Sequence, residues 1–425
     1  MTDADIAGPI ESGSSAHTEP VSSRPAHRDT NVLRWLAAYF ASIVGDSVYF
    51  LALGWAAAQL AGPAQVGIVL ALGAVPRALL MLLGGVIADR FDPRKVVIGS
   101  DALRAAVILA VAVALWLSTP ELWLLVVVAL VFGVVDALFM PAVGALPPRL
   151  TGPDEIVRLV GMRQLAIRLG KAVGPPMAGF ALAHHGALAF ALAGALFALS
   201  LILLVSVRVA PLPRARPAGE AGTPWHDLTD GLRYIRRHRV VGPLVLGTAL
   251  SEIGFMPPLQ MGVFLLTEER GFGATGIGWI LGAFAVGAGL GAIGLSLAGR
   301  IRRAGMVQGC AMVVASLAIG AIGLLPSVAG AAAVAGFAGL VAGVCGGLSV
   351  ALIQRNTAAA YQGRVAAVLA LSHVGLAPLV FPLFGLAAGA VGIVPMFLVG
   401  AAISASAAVV GLLSRDVRRA ELRVR

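Results

Sequence analysis

"RLGKAVGPPMAG", residues 168–179, sits in an otherwise apolar run: Leu165, Ala166 and Ile167 precede it, and Phe180, Ala181 and Leu182 follow. Two cations, Arg168 and Lys171, stand beside a glycine-proline-proline break. A proline inside a helix removes a hydrogen bond and costs about 3 kcal/mol. A charge in hydrocarbon is costly as well. A stretch that carries both needs packed neighbours to hold it, and the rest of the chain says what those neighbours are.

Of the 425 residues, 59% are hydrophobic and only 12% charged, with a mean hydropathy of +0.92. Soluble domains carry about 25% charged residues, so this chain lacks the polar cover to fold in water. It reads as an integral membrane protein. Its apolar runs are continuous rather than alternating, which selects helices over a spanning barrel. A net charge of +10 could point to nucleic acid, but no soluble basic domain carries it. Cys310 and Cys345 lie in apolar runs without metal-ligand spacing and read as buried thiols. Residues 1–31 are polar, acidic and Ser/Pro-rich, without the layout of a cleaved signal, and read as a short disordered cytoplasmic tail.

An apolar run of about 20 residues can cross a bilayer. Twelve such runs are expected, over 33–60, 66–88, 96–118, 122–146, 157–183, 187–207, 241–266, 277–298, 306–325, 328–353, 365–387 and 391–413. Their connections alternate in character. "AGPAQ", "STPE", "AHHG" and "PSV" are minimal, whereas "DRFDPRK" (89–95), "PPRLTGPDEIVR" (147–158), "RIRR" (300–303) and "QGR" (362–364) are basic. Of 31 Lys and Arg residues, only Arg270 falls on the minimal side, and Arg77, Arg104, Arg168 and Lys171 fall within runs. The other 26 share a side with the chain termini, so the positive-inside rule puts both termini in the cytoplasm.

The long connection 208–240 divides the chain. A six-helix bundle is expected over 32–207, a cytoplasmic linker over 208–240, a second bundle over 241–414 and a basic cytoplasmic tail over 415–425. Within the linker, "WHDLTDGLRYIRRHR" reads as an amphipathic surface helix. "GGVIADRFDPRKV" and "GLSLAGRIRRAGM" stand 210 residues apart at equivalent turns of the two halves, as parallel six-helix repeats require.

These features resemble the major facilitator superfamily. Its signature after the second helix, G-x-x-x-D-R-x-G-R-R, is matched loosely by Gly85, Asp89, Arg90, Arg94 and Lys95, with Asp92 in place of the glycine and Pro93 at the first later basic position. Exporters of the superfamily carry G-x-x-x-G-P-x-x-G-G in the fifth helix. Gly170, Gly174, Pro175 and Gly179 match it, with Ala178 replacing one glycine. The resemblance implies that this stretch seals the outer side and favours export; an ordinary kink is the alternative. It also implies a latch role for Asp89. "GDSVYFLALGW", "GVVDALFMPA", "DLTDGLRYIRR" and "QGRV" extend the likeness to the drug:proton antiporter group that holds macrolide efflux proteins and the enterobactin exporter.

Charges inside the membrane are functional candidates by default. Asp46, Asp136, Arg168 and Glu252 each lie on the order of 15 Å into their runs at 1.5 Å per residue, which suggests one central cavity. Asp46 is the expected proton-coupling group, with a fixed ion pair to Arg168 as the alternative. Asp136 is a second potential partner of Arg168. Glu252 either binds a cation or proton or makes a helix-end contact, and Lys171 either snorkels or lines the cavity. Asp101 and Arg104, three residues apart, read as an ordinary helix-face pair. His373 reads as a hydrogen-bonded packing histidine, with a proton relay as the alternative, and Trp35, Trp116, Trp123 and Trp225 as interface anchors.

The expected function is export of an amphipathic small molecule (drug, antibiotic or siderophore) by proton antiport with alternating access, in the inner (cytoplasmic) membrane, by a monomer. The expected partners are the small-molecule substrate, protons and the lipid bilayer, with no cofactor, metal or nucleic acid. A lysophospholipid flippase or an importer of the same fold is the alternative. A polytopic enzyme is remote, because no Walker, HExxH or GxSxG motif occurs.

Overall fold

A computed structural model describes residues 25–90, 92–118, 121–209 and 224–423, without the side chains of 81–90, 224–228, 300, 374 and 423. The first bundle comprises α1 (Thr30–Leu60), α2 (Pro63–Arg90), α3 (Pro93–Leu117), α4 (Leu122–Gly144), α5 (Ile156–His184) and α6 (Gly186–Ser206). A surface helix, α7 (Pro224–Arg237), follows. The second bundle comprises α8 (Val241–Glu269), α9 (Gly273–Leu297), α10 (Ala304–Ile322), α11 (Val328–Asn356), α12 (Gln362–Gly375), α13 (Ala377–Val391) and α14 (Ile393–Leu413).

Among the described residues, eleven helical segments are long and apolar enough to cross a membrane, not the twelve expected. The difference is α5. Its 29 residues suffice in length, but Arg158, Arg163, Arg168, Lys171 and two prolines dilute its apolar content. Large apolar side chains such as Ile202, Leu317 and Leu383 stand out from the bundles with most of their surface open. Water would penalise such a surface, and lipid does not. The protein is a multi-pass membrane protein.

Local chemistry sets the helix starts. Asp29 accepts a hydrogen bond from the Asn31 N–H at 2.8 Å and opens α1, while Ser327 accepts from Gly330 and opens α11. The expected disordered tail is therefore corrected at its end. Ala26 is fully buried, donates its N–H to Glu155 and packs in a core with Trp35 and Leu150; the remainder, residues 1–24, lies outside the described residues. Gly392, at φ 86°, makes the turn from α13 to α14, where a side chain would be strained.

Two further expectations fail for reasons of packing. Trp35 does not anchor an interface: it is buried and stacks on Tyr39. Cys310 is exposed on α10, while Cys345 is partly buried. Trp116 and Trp123 are exposed, and the Trp225 side chain lies outside the described residues.

The second bundle is capped beside the basic connections. A two-residue strand, β1 (Arg300–Ile301), pairs antiparallel with β2 (Leu422–Arg423) near the chain end. Tyr234 of α7 stacks on Tyr361 just before α12. The bundles themselves meet along α5 with α9, α2 with α12 and α13, and α1 with α8.

Candidate functional site

The charges within the spans form two groups rather than one cavity ring, and only Arg104 and Asp101 of them are fully buried. The first centres on Arg104 of α3, whose side chain is 1% exposed. Its guanidinium bonds Asp136 of α4, lies 3.4 Å from Asp101 and lies 3.7 Å from Asp46 of α1. It also stands 4.2 Å from the centre of the Phe139 ring and near Phe197 and Phe132, whose electron-rich faces favour a cation. The expected pairing of Asp46 or Asp136 with Arg168 is thus corrected. Arg104 is the partner of both, because α3 packs beside α4 and α6 while Arg168 points elsewhere.

The three carboxylates differ in access. Asp101 is sealed, at 0% exposure, and accepts hydrogen bonds from Ser200 at 2.6 Å and Ser42 at 3.3 Å. Asp46 and Asp136 keep 31% and 24% of their side-chain surface open. One Asp46 oxygen is buried without a hydrogen-bond partner among the described residues. Asp101 is therefore a sealed counter-ion of Arg104, and Asp46 and Asp136 are the carboxylates with open surface.

A second group of charges flanks the first. Lys171 on α5 stands within the fields of Arg168 on the same helix, Arg77 on α2 and Asp46 on α1, and Arg77 also acts on Asp46. Among the described residues none of these three cations has a carboxylate within ion-pair distance, and Arg77 Nε is buried and unpartnered. Arg168 reaches into a cavity of about 400 Å³ in the second bundle. Phe255, Met256, Phe284 and Met312 give it apolar walls, and Gln308 and Ser404 give it polar points. Such a chamber suits an amphipathic guest of small-molecule size. Glu252 and His373 also line it, joined Nδ1 to Oε1 at 2.8 Å. His373 therefore has a hydrogen-bonding partner in Glu252, which becomes an ion pair when the imidazole is protonated.

The stretch 168–179 divides its glycines between two neighbours. Gly170 lies against Ile43 and Gly174 against Ser47, both on α1 of the same bundle. Gly179 faces α9 of the other bundle. A Cβ there would lie 2.9 Å from the Ala274 carbonyl and 3.0 Å from Gly278 Cα. Pro175 and Pro176 complete the same contact against Gly278 and Gly282. The close approach explains how a glycine-proline break survives: the neighbouring backbone supplies the packing that the ladder loses. Gly179→Leu should force the bundles apart at this end, an overpacking cost of about 1–3 kcal/mol, and should lower the melting temperature of the detergent-solubilised protein. Unchanged melting would return the stretch to a plain kink.

The other signature is only partly visible. Gly85, Asp89 and Arg90 lie on α2, with side chains outside the described residues. Asp92, which replaces the usual glycine, caps α3 through the Arg94 N–H at 3.2 Å and pairs with Arg149 at 2.7 Å. Burial opposes its charge, but the Arg149 and Arg94 hydrogen bonds prevail and hold its carboxyl below the ordinary carboxylate range. Arg94 donates to the Val205 carbonyl at 3.0 Å, tying α3 to the end of α6.

Comparison with known proteins now decides the family. The family model described as Major Facilitator Superfamily matches residues 35–382, most of the chain. The chain belongs to the Major Facilitator Superfamily. Among superfamily relatives, the enterobactin exporter EntS of Shigella boydii serotype 18 is 27% identical over 307 residues, 71% of each chain. EntS of Escherichia coli O139:H28 is equally similar. Solved superfamily structures share the fold. A bacterial homolog of the human lysosomal transporter Spinster, in an inward-facing and unoccupied conformation, superposes at a TM-score of 0.68 with 15% identity, covering 93% of this chain and 98% of the other. The nucleoside transporter NupG superposes at 0.69 with 12% identity, covering 92% and 99%.

Arg104 was the residue that sequence reasoning undervalued. Its spacing from Asp101 imitates a surface pair. The available signal was position, since both residues already fall inside an apolar run.

Proposed function

We propose that this superfamily member is a secondary active exporter that expels an amphipathic small molecule by proton antiport across the inner membrane. The observation that supports it most is that one bundle holds partly open acids, Asp46 and Asp136 on Arg104, while the other holds a mostly apolar chamber entered by Arg168. A proton on Asp46 or Asp136 removes a counter-charge from Arg104 and from the cations beside it. The bundle interface then changes its electrostatic balance, which is what an alternating-access cycle needs from its driving ion. The similarity to siderophore exporters supports the outward direction. With α5 counted as a twelfth span, both termini fall on the basic side, which is the cytoplasmic side. Gly170, Gly174, Pro175 and Gly179 then act at the outer seal, and Gly85, Asp89, Arg90 and Arg94 at the cytoplasmic turn.

The test is a susceptibility and efflux panel of drugs and siderophores in a pump-deficient bacterial host, with and without the protein. Export predicts lower cellular accumulation of at least one amphipathic compound, reversed when the proton gradient is collapsed. Raised accumulation instead would favour an importer. Outward movement that persists without the gradient would exclude proton antiport.

A further inference from the structure

Two helices of the second bundle are interrupted, and both interruptions adjoin one place. After Pro257, α8 turns π-helical over Pro258–Gly262. Between Gly375 and Ala377, α12 stops and α13 begins. Pro257, Gln260, Leu376 and Ala377 line a single cavity of about 40 Å³ there. Glu252 and His373 line that small cavity too, and they also line the large chamber that holds Arg168. Their 2.8 Å pair thus forms a wall between the substrate-sized space and both helix breaks.

The segments beyond the breaks are among those that close the bundle interface. Phe264 of α8 presses on Gly54 of α1. The Phe381 carbonyl and Pro382 of α13 abut Gly67 of α2, and Gly385 lies against the Pro63 carbonyl. Interruptions of this kind, π-turns above all, are common at functional hinges.

We infer that Glu252 and His373 form a second proton site, a latch that holds the two broken helices in the sealed arrangement and releases them when the proton leaves the imidazole. The inference rests on the alternating-access reading above and adds a titrating element in the other bundle. With His373 charged and Glu252 ionised, the bond is charge-assisted and at its strongest. Loss of the proton leaves a weaker bond across the hinges. Histidine titrates near neutral pH, so the sealed population is greatest in acid and falls as pH rises through the imidazole. A proton taken up on the far side and released on the basic side would close and reopen the seal once per cycle, the direction that antiport needs.

Other charges do not supplant this pair. Arg168 of α5 shares the large chamber. Arg77 of α2, which packs on α12, acts on Asp46 and Lys171. Asp230 of α7 lies 3.9 Å from Arg364 at the start of α12, two turns and more from His373. Neither α13 nor α14 carries a charged residue.

The test uses full-length protein in lipid nanodiscs, with Cys310 and Cys345 replaced by alanine and spin labels on Gly62→Cys and Gly389→Cys. Both positions have open space around them. Electron-electron distance measurement at pH 5.5 and pH 8 reads the seal. The expected result is a short distance in acid, a longer one in base, no pH shift in His373→Gln or Glu252→Gln, and a short distance at both pH values in His373→Lys. A pH shift that survives in both the glutamine variants, or a parent protein without any shift, overturns the latch. Substrate efflux in cells is a separate readout, so an exporter with no pH-sensitive seal remains distinguishable from a protein that exports nothing.

Discussion

Arg104→Gln is expected to remove most of the folded protein. One guanidinium is shared by three carboxylates, and Asp101 beside it has no exposed surface. Removing one partner of a buried ion pair costs about 3–5 kcal/mol, because the other charge stays buried without compensation. Total stabilities are about 5–15 kcal/mol, so this single loss takes a large share. The ring contacts with Phe139 and Phe197 are lost as well. Abundance and melting of a detergent-solubilised fluorescent fusion measure the effect. Adding Asp101→Asn and Asp136→Asn to the same chain should restore much of the folded fraction, since only Asp46, the most open of the three, then keeps its charge. Arg104→Lys keeps the charge but not the planar fork that reaches several acids at once, and should fall between. Normal abundance and melting in Arg104→Gln would show that the cluster is not structural.

Asp46→Asn is expected to stop proton-driven efflux while leaving the protein folded. Asparagine keeps the size and hydrogen-bonding capacity but cannot ionise. Its native carboxylate is the most open of the three around Arg104 and the most weakly held, with one oxygen unpartnered. Its loss therefore disturbs packing far less than loss of Arg104. Efflux driven by an imposed pH step should drop by at least about tenfold, the equivalent of ~1.4 kcal/mol. Downhill exchange of labelled substrate without a pH step should partly survive, because it requires no net proton movement. Glu252→Gln, measured alongside, separates the two bundles. Normal pumping by Asp46→Asn with failure of Glu252→Gln would place coupling in the second bundle alone. Normal pumping by both would end the case for coupling by these carboxylates.

Much of the site could be read at the level of single residues but not at the level of partners. Asp46, Asp136, Arg168 and Glu252 stand out in the sequence because hydrocarbon makes each of them expensive. Their pairing depends on which helices lie side by side. Asp101 and Arg104 show the limit most plainly. A three-residue spacing on a helix is the same on a solvated face and in a core, and only the packing of α3 against α4 and α6 makes it a core. His373 is a parallel case. Nothing within α12 announces Glu252, which sits 121 positions earlier in the chain.

The membrane character, the helical class, the approximate spans and the charge bias between the two sides were determined by the sequence alone. They follow from local quantities: run length, continuous apolarity and the positions of Lys and Arg. Tertiary structure decided the rest. It split the charges within the spans between an Arg104 cluster and a chamber bearing Arg168, turned one glycine of 168–179 toward the partner bundle and others toward α1, and brought two helix breaks to the Glu252–His373 pair. The physical reason is that a lipid solvent rewards every apolar helix face alike. Which faces meet is settled by small-residue contacts and charge pairing between segments distant in the chain, and no local pattern encodes those distances.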